Sequence, residues 1–316
     1  MMIGIGDTFN YLECSNCGVL QLIDIPKDLD KYYPDNYFSY SNVDGLVNKT
    51  IIYVYLKLYN NIIYKKSLIG KILLKYFDFE NKFFSLTQIG KLVKSFIDLN
   101  ILSKDSNILD IGCGAGQFLQ IFEKMGFNNL YGVDIHIMQK KTDINFVETT
   151  LEQYETNLKF DLIFLKDSFE HMDNQLECIN RLKELLTDNG RIILTIPLKS
   201  SLYKTYGSYY YDIDAPRHFY IHTLKSFKTL LNDSGIKIDT VIYDSTFMSY
   251  VRSEEYKNNI FGNMEKSYKE LNRIFFKITN INESIFNKEE IREFKNKAKI
   301  SNEQIGDHGI FVLSLR

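Results

Sequence analysis

Three glycines, Gly112, Gly114 and Gly116, alternate with other residues between a predicted buried strand and a predicted helix. Glycine lets the main chain turn sharply and lets a ligand approach it closely, and a helix N-terminus offers free N–H groups to polar ligands. Asp134 ends the next predicted strand, where an acidic residue commonly accepts hydrogen bonds from ribose hydroxyls. The sequence therefore predicts a nucleotide-like ligand at this turn.

The spacing of the glycines separates two kinds of ligand. A dinucleotide site has the pattern G-x-G-x-x-G, and Gln117 stands where its third glycine would be. The pattern here is G-x-G-x-G, with Asp110 two residues ahead of the first glycine. This spacing argues against an oxidoreductase that uses a nicotinamide cofactor.

Four segments in chain order resemble the motifs of class I S-adenosylmethionine-dependent methyltransferases. Residues 109–116 resemble motif I, residues 131–134 the second motif, residues 160–171 the fourth-strand motif and residues 182–197 the fifth-strand region. The resemblance implies S-adenosylmethionine as the cofactor and S-adenosylhomocysteine as its product. It also implies an α/β fold with a Rossmann-like seven-stranded sheet and helices on both faces.

The resemblance assigns roles to matching positions. Asp110 and the glycine main chain would hold the methionine end of the cofactor, Asp134 its ribose, and Ile135, Thr150 and Leu151 its adenine. Lys166 follows the fourth strand near the sulfonium; because the two positive charges repel, we expect its side chain to point away. The cofactor-binding residues predicted in this way are Asp110, Gly112, Cys113, Gly114, Gly116, Asp134, Ile135, Thr150, Leu151 and Lys166.

The predicted catalytic residues are His218, His171 and Arg217. A hydroxyl acceptor needs a base, and histidine suits that task near neutral pH. We favour His218 over His171, and Arg217 could bind a carboxylate or phosphate through its fork of donors. Pro216, Arg217 and His218 resemble the PRH segment of a methyltransferase subgroup in surface-polysaccharide and small-metabolite biosynthesis, which implies a sugar-derived hydroxyl as the acceptor. The alternative, that these side chains only tie loops to the sheet, stays open.

Cys14 and Cys17 form half of a zinc knuckle. A structural zinc ion needs four ligands, and the other two cysteines, Cys113 and Cys178, do not form a second pair. We therefore predict a reduced pair and no metal, with zinc at Cys14 and Cys17 as the alternative.

Composition limits the partners. The formal net charge of −2 over 316 residues argues against broad binding to nucleic acid, so the predicted partner is a small-molecule acceptor.

The chain has no run of 18 uncharged residues and no secretory pattern at its start, which predicts a cytoplasmic location. The basic helical stretch 51–77 leaves peripheral membrane contact open, and the oligomeric state is open too. A non-catalytic cofactor-binding module and a protein methyltransferase remain alternatives.

The changing pattern along the chain predicts four regions. Residues 1–44 form an irregular arm with the two cysteines, and residues 45–100 form a helical region. Residues 101–245 together with 306–316 form the S-adenosylmethionine-binding domain. Residues 246–305 form a helical insertion that acts as a lid or docking surface, since a plain loop of that length would be unusual.

Overall fold

The structure is a computed structural model. It describes residues 7–33, 102–137, 142–245, 247–258, 289–290, 292–293, 296–297 and 306–316. The predicted helical region 45–100 lies outside these residues, and so does most of the predicted insertion 246–305.

Strands and helices alternate through the central part of the chain, as the apolar pattern predicts. The strands are β1 (Tyr11–Glu13), β2 (Leu20–Leu22), β3 (Asn107–Ile111), β4 (Asn129–Asp134), β5 (Asn145–Glu148), β6 (Phe160–Lys166), β7 (Leu186–Pro197), β8 (Tyr220–Ile221), β9 (Ile236–Asp244) and β10 (His308–Leu315). The helices are α1 (Gln117–Met125), α2 (Gln175–Leu185), α3 (Ser201–Tyr206), α4 (Leu224–Leu230) and α5 (Phe247–Lys257).

The larger sheet has seven strands in the order β5-β4-β3-β6-β7-β10-β9. The pairs β3–β4, β3–β6 and β4–β5 are parallel. Counted within this sheet, the order begins 3-2-1-4-5, as in doubly wound nucleotide-binding folds, and the strand order reverses between β3 and β6. The predicted Rossmann-like sheet is therefore confirmed, and ligands of such sheets bind at the carboxyl ends of the strands near the reversal.

The described residues fall into two compact units. The hairpin unit comprises those of Met1–Asp35, Asp167–Leu176 and Leu194–Phe311, and the turn unit comprises those of Asn36–Lys166, Glu177–Ile193 and Val312–Arg316. In the turn unit, α1 buries Leu119 and Phe122, and the Phe122 ring lies 5.4 Å from that of Phe164 on β6. This contact fixes the helix that follows the glycines against the sheet.

The prediction of an irregular N-terminal arm is wrong for part of residues 7–33. β1 and β2 pair antiparallel with Tyr11 opposite Leu22, and β2 continues onto β8 to form a three-stranded sheet. Gly18, with φ of 77°, closes the turn between the two strands. Leu20 and Leu22 are buried and Gln21 is exposed, which is the alternation of a half-buried strand. Each strand has only three residues, too few for the alternation to stand out in the sequence.

Two further segments differ from or extend the predictions. The sequence Asp-Asn-Gly at residues 188–190 predicts a turn, yet these residues lie inside β7. Within the predicted insertion, the structure describes one long helix, α5, Phe247–Lys257. In the part of the chain that the structure describes, no helix has the length and apolar character to cross a membrane.

Candidate functional site

The three glycines of the turn between β3 and α1 adopt a left-handed backbone. Their φ angles are 74° at Gly112, 51° at Gly114 and 70° at Gly116, a region that other residues rarely enter. Gly116 is also the N-cap of α1, and a Cβ atom there would lie 2.4 Å from Cζ of Phe146. The turn therefore requires glycine at 116 for both conformation and space.

Asp134 is bound to this turn. Its Oδ2 accepts a hydrogen bond from the main-chain N–H of Gly114 at 2.7 Å, and its Oδ1 accepts one from the N–H of His136 at 2.9 Å. Each carboxylate oxygen can accept a second hydrogen bond. The side chain is thus held in place and still has accepting capacity for two hydroxyls.

Asp110 lies under the turn at the end of β3 and is 4% exposed. Its pKa is raised to about 8, first by burial and then by the negative charge of Asp134, against the positive charge of Lys166, which lowers it. The Lys166 ammonium lies 6.0 Å from the ring centroid of Phe118 on α1. Its side chain thus leaves the end of β6 toward the helix that follows the glycines.

The other predicted cofactor-binding residues differ in their exposure. Ile135 directly follows Asp134 and is 58% exposed, so a large apolar side chain is available beside the carboxylate. Thr150 is half-buried, whereas Leu151 packs in the core at 3% exposure. Cys113 is buried, and burial raises the pKa of its thiol well above the ordinary range, so it stays protonated.

In the hairpin unit, the structure brings the three predicted catalytic residues together. Nδ1 of His171 lies 2.8 Å from the carbonyl oxygen of Arg217, and Nδ1 of His218 lies 2.7 Å from that of Asp212. The two imidazole rings are 4.8 Å apart. The two histidines therefore lie in contact, and together with Glu170, Asp214 and Arg217 they are named here the histidine cluster.

Arg217 is 2% exposed and forms an ion pair with Asp214. Its guanidinium also lies 5.5 Å from the ring centroid of Tyr33. A guanidinium committed in this way agrees with the alternative in which Arg217 ties the loop together. The prediction that it binds an acceptor carboxylate or phosphate gains no support from this geometry.

The electrostatics of the histidine cluster are unusual for general bases. Nε2 of His218 lies 3.7 Å from Oδ2 of Asp214 and 3.9 Å from Oε1 of Glu170. Burial, as the largest effect, lowers the pKa of His171 and that of His218 to about 3. An imidazole with so low a pKa is a weak proton acceptor at neutral pH.

The N-terminal hairpin braces the loop that carries His218. The Tyr11 hydroxyl donates to the carbonyl oxygen of His218 at 2.6 Å, and the N–H of Phe219 donates to that of Glu170 at 2.8 Å. Asp214 stands in the left-handed region with φ of 40°, a conformation that costs energy in a non-glycine residue. Such strain tends to persist where surrounding structure holds a functional loop.

Sequence reasoning missed Glu170 and Asp214 as members of this cluster. Glu170 directly precedes His171, and Asp214 lies three residues before Arg217. Glu170, the acid beside a predicted catalytic histidine, is a signal that the sequence contains, whereas the spacing of Asp214 indicates no contact.

Cys14 and Cys17, the predicted half of a zinc knuckle, lie in the turn between β1 and β2. Cys14 and Cys17 are free thiols, and the N–H of Gly18 donates to the carbonyl oxygen of Cys14 at 2.8 Å. Main-chain hydrogen bonds at Cys17 lower the pKa of Cys14. The turn thus holds two thiols together, and zinc at this position stays an untested alternative.

Comparisons with known proteins agree with the motifs. A model of the methyltransferase domain family matches residues 85–241. The chain is 26% identical over 224 residues to malonyl-[acyl-carrier protein] O-methyltransferase 1 of Ilyobacter polytropus, covering 66% of this chain and 76% of that protein. It is 25% identical over 198 residues to ubiquinone biosynthesis O-methyltransferase of Rickettsia canadensis, covering 57% and 82%.

Solved structures are similar to the chain at lower identity. One is the cyclopropane synthase MmaA2 from Mycobacterium tuberculosis, at a TM-score of 0.46 and 18% identity, covering 75% of this chain and 87% of that one. The range matched by the family model contains both the glycine turn and the histidine cluster.

Proposed function

We propose that this S-adenosylmethionine-dependent methyltransferase transfers its methyl group to an oxygen atom of a small-molecule acceptor. The cofactor is S-adenosylmethionine. The curated relatives described above are named as O-methyltransferases, which supports oxygen as the methylated atom. The finer proposal, a hydroxyl of a sugar, sugar nucleotide or surface-polysaccharide precursor, rests on the PRH resemblance at residues 216–218.

The proposal rests on the hydrogen bond that the N–H of Gly114 donates to the carboxylate of Asp134. When bound, the cofactor supplies a methyl group activated by a positively charged sulfur. Asp134, fixed by two main-chain N–H groups, would accept hydrogen bonds from the ribose hydroxyls. Ile135, exposed beside it, would pack on the adenine, and the glycine main chain with Asp110 would hold the methionine end. A carboxylate that can accept from hydroxyls, an exposed apolar side chain and a glycine main chain thus stand together at the turn, which supports this cofactor site.

The acceptor oxygen decides how much proton transfer the reaction needs. A sugar hydroxyl must lose its proton during methyl transfer, whereas a carboxylate is already ionised at neutral pH. His218 and His171 stay the predicted bases, although their low pKa values make them weak ones. A carboxylate acceptor is therefore a second candidate, and the similarity to a malonyl-[acyl-carrier protein] O-methyltransferase supports it.

Titration calorimetry with S-adenosylhomocysteine tests the cofactor site. We expect the wild type to bind and Asp134→Ala to bind roughly 10- to 100-fold more weakly, because two charge-assisted hydrogen bonds are lost. Asp143→Ala is the matched control, since Asp143 is an exposed aspartate of the same unit, and it should bind as the wild type does. No binding by the wild type, or equal binding by Asp134→Ala, would contradict the proposal.

A methyl-transfer assay with three acceptor classes tests the second step. The acceptors are a sugar nucleotide, a malonyl thioester on acyl-carrier protein and a catechol. Methylation of the sugar nucleotide supports the finer proposal, and methylation of the malonyl group supports the carboxylate candidate. Methylation of the catechol alone would keep oxygen as the target and remove both finer acceptors. Cofactor binding without transfer to any of the three would favour the non-catalytic alternative.

A further inference from the structure

Glu170, His171 and His218 bring three potential metal ligands together inside the hairpin unit. One ligand atom from each residue lies within 4.8 Å of the others. Glu170 is 1% exposed and the His218 side chain 13%, so little water reaches the space between them. Two imidazoles and one carboxylate are a ligand set that binds zinc in catalytic sites and leaves a further position open.

The imidazoles are oriented as in metal sites. In each ring, Nδ1 lies within 2.8 Å of a main-chain carbonyl oxygen, that of Arg217 for His171 and that of Asp212 for His218. A carbonyl oxygen can only accept, so Nδ1 carries the proton and Nε2 carries the lone pair. Metal-binding histidines are commonly fixed by this same hydrogen bond to an outer carbonyl or carboxylate.

The Nε2 lone pair of His218 faces acceptors rather than donors. Oδ2 of Asp214 and Oε1 of Glu170 lie 3.7 and 3.9 Å from it, too far for hydrogen bonds. Two ligand atoms bound to one tetrahedral zinc ion lie about 3.4 Å apart, given bonds of about 2.1 Å. A shift of less than about 1 Å would therefore let one ion join Nε2 and the Glu170 carboxylate.

The charge of the surroundings suits a cation. The cluster and its neighbours contain two buried carboxylates, Glu170 and Asp214, and one buried guanidinium, Arg217, which is paired with Asp214. A divalent ion beside Glu170 would thus meet negative charge and neutral imidazoles.

We propose that Glu170, His171 and His218 bind one divalent metal ion of the zinc type through Oε1 and the two Nε2 atoms. A further coordination position stays open for water or an acceptor oxygen. Binding of the ion does not depend on the reaction proposed above. The role of the ion does depend on that reaction. A hydroxyl group bound at the open position would release its proton to solvent more easily, because a bound divalent ion lowers the pKa of oxygen ligands. That would supply the deprotonation for which the two histidines are weak bases.

Two other places in the hairpin unit compete for the ion. Cys14 and Cys17 offer thiolates, and Asp212, Asp307 and His308 form a second group whose ligand atoms lie within 4.8 Å. The experiment therefore uses full-length protein with Cys14→Ser and Cys17→Ser as its background, freed of metal by a chelator. Zn²⁺ is titrated by calorimetry without cofactor or acceptor, and Co²⁺ is added in a parallel absorption measurement.

The expected result is one Zn²⁺ per chain and a Co²⁺ spectrum of nitrogen and oxygen ligands. Glu170→Gln and His218→Asn, each made in that background, should bind more than about 100-fold more weakly, since loss of a ligand exceeds the 10- to 100-fold effect of losing an outer partner. His222→Gln is the matched control. Its imidazole is also buried but is held by Ser226 and Gln175, so full binding is expected.

Three results would overturn the proposal. The first is no Zn²⁺ bound by the background that lacks the thiols of Cys14 and Cys17. The second is unchanged affinity in Glu170→Gln and His218→Asn. The third is binding abolished by Asp307→Asn but not by Glu170→Gln, which would assign the ion to the other group. Circular dichroism and S-adenosylhomocysteine binding show that each variant is folded. If the wild type binds Zn²⁺ but transfers no methyl group, the proposed function is contradicted and the metal site is not.

Discussion

The glycine turn and the histidine cluster are built from different parts of the protein chain. The turn is a main-chain structure, in which left-handed glycines bend the chain and the N–H groups of Gly114 and His136 fix one carboxylate, that of Asp134. The cluster is a side-chain structure, in which buried charges and imidazoles are fixed by carbonyl oxygens and an ion pair. The difference predicts that the turn is sensitive to an added atom, whereas the cluster is sensitive to a removed charge.

The largest expected effect is in the cluster. Arg217→Met leaves Asp214 buried without its guanidinium, which should lower the free energy of unfolding by about 3–5 kcal/mol. Urea denaturation measures this change. Lys31→Met, in an exposed ion pair with Asp7, should change it little. The double variant Arg217→Met with Asp214→Asn should recover part of the loss; no recovery would mean that packing rather than charge holds Arg217.

The next effect is in the turn. Gly116→Ala adds a Cβ atom 2.4 Å from Phe146 in a left-handed backbone and should cost about 2–4 kcal/mol in the free energy of unfolding. It should also weaken binding of S-adenosylhomocysteine. Gly126→Ala is the control, since its φ of 87° and ψ of 26° are also left-handed and the atom nearest to an added Cβ atom is Nζ of Lys104 at 3.6 Å, so only about 1–2 kcal/mol is expected. Equal effects of the two variants would show that space at Gly116 is unimportant.

Asp110 of the turn unit and His222 of the hairpin unit should contribute to the pH dependence of stability with opposite signs. Burial raises the pKa of Asp110 to about 8, above its unfolded value of 3.8, so its contribution favours folding at low pH and is lost as pH rises between these values. Burial lowers the pKa of His222 from 6.5 to about 4, so its contribution is present above 6.5 and is lost as pH falls toward 4. Each group contributes a slope of at most about 1.4 kcal/mol per pH unit.

Urea unfolding at several pH values checks this difference in sign. Relative to the wild type, Asp110→Asn should gain stability as pH rises, and His222→Gln should gain it as pH falls. The same trend in both variants would contradict the assignment of opposite signs.

The smallest expected effect concerns the brace between the hairpin and the cluster. Tyr11→Phe removes the hydroxyl that donates to the carbonyl oxygen of His218 and should cost about 1 kcal/mol in the free energy of unfolding. Tyr209→Phe is the control, since Tyr209 is 46% exposed, and should be neutral. A neutral Tyr11→Phe would mean that the hairpin does not hold this loop.

The sequence predicts the turn well because all of its parts lie in one strand–helix–strand segment. Gly112, Gly114, Gly116 and Asp134 are close enough along the chain for their spacing to carry the geometry. Strands β3, β4 and β6 are predicted for the same reason, since each contains a short apolar run.

The cluster is harder to predict because its parts come from distant segments. His171 and His218 can be singled out by residue type, but their contact depends on how two loops fold. No pattern in the sequence indicates that Arg217 would turn inward to Asp214 or that Tyr33 would lie against it. Burial, which lowers the pKa of both histidines, is likewise a property of the folded loops alone.

The pairing of β2 with β8 has a consequence for how the protein is made. Tyr11 and His218 are 207 positions apart, so a ribosome must synthesise most of the chain before the hairpin can meet its partner strand. Until then, the strand β2 that contains Leu20 and Leu22 cannot pair with β8, and closing a loop of this length is slow. A deletion or bulky fusion at the N-terminus should therefore disturb the loop that carries His218 first, although that loop lies far downstream in the sequence.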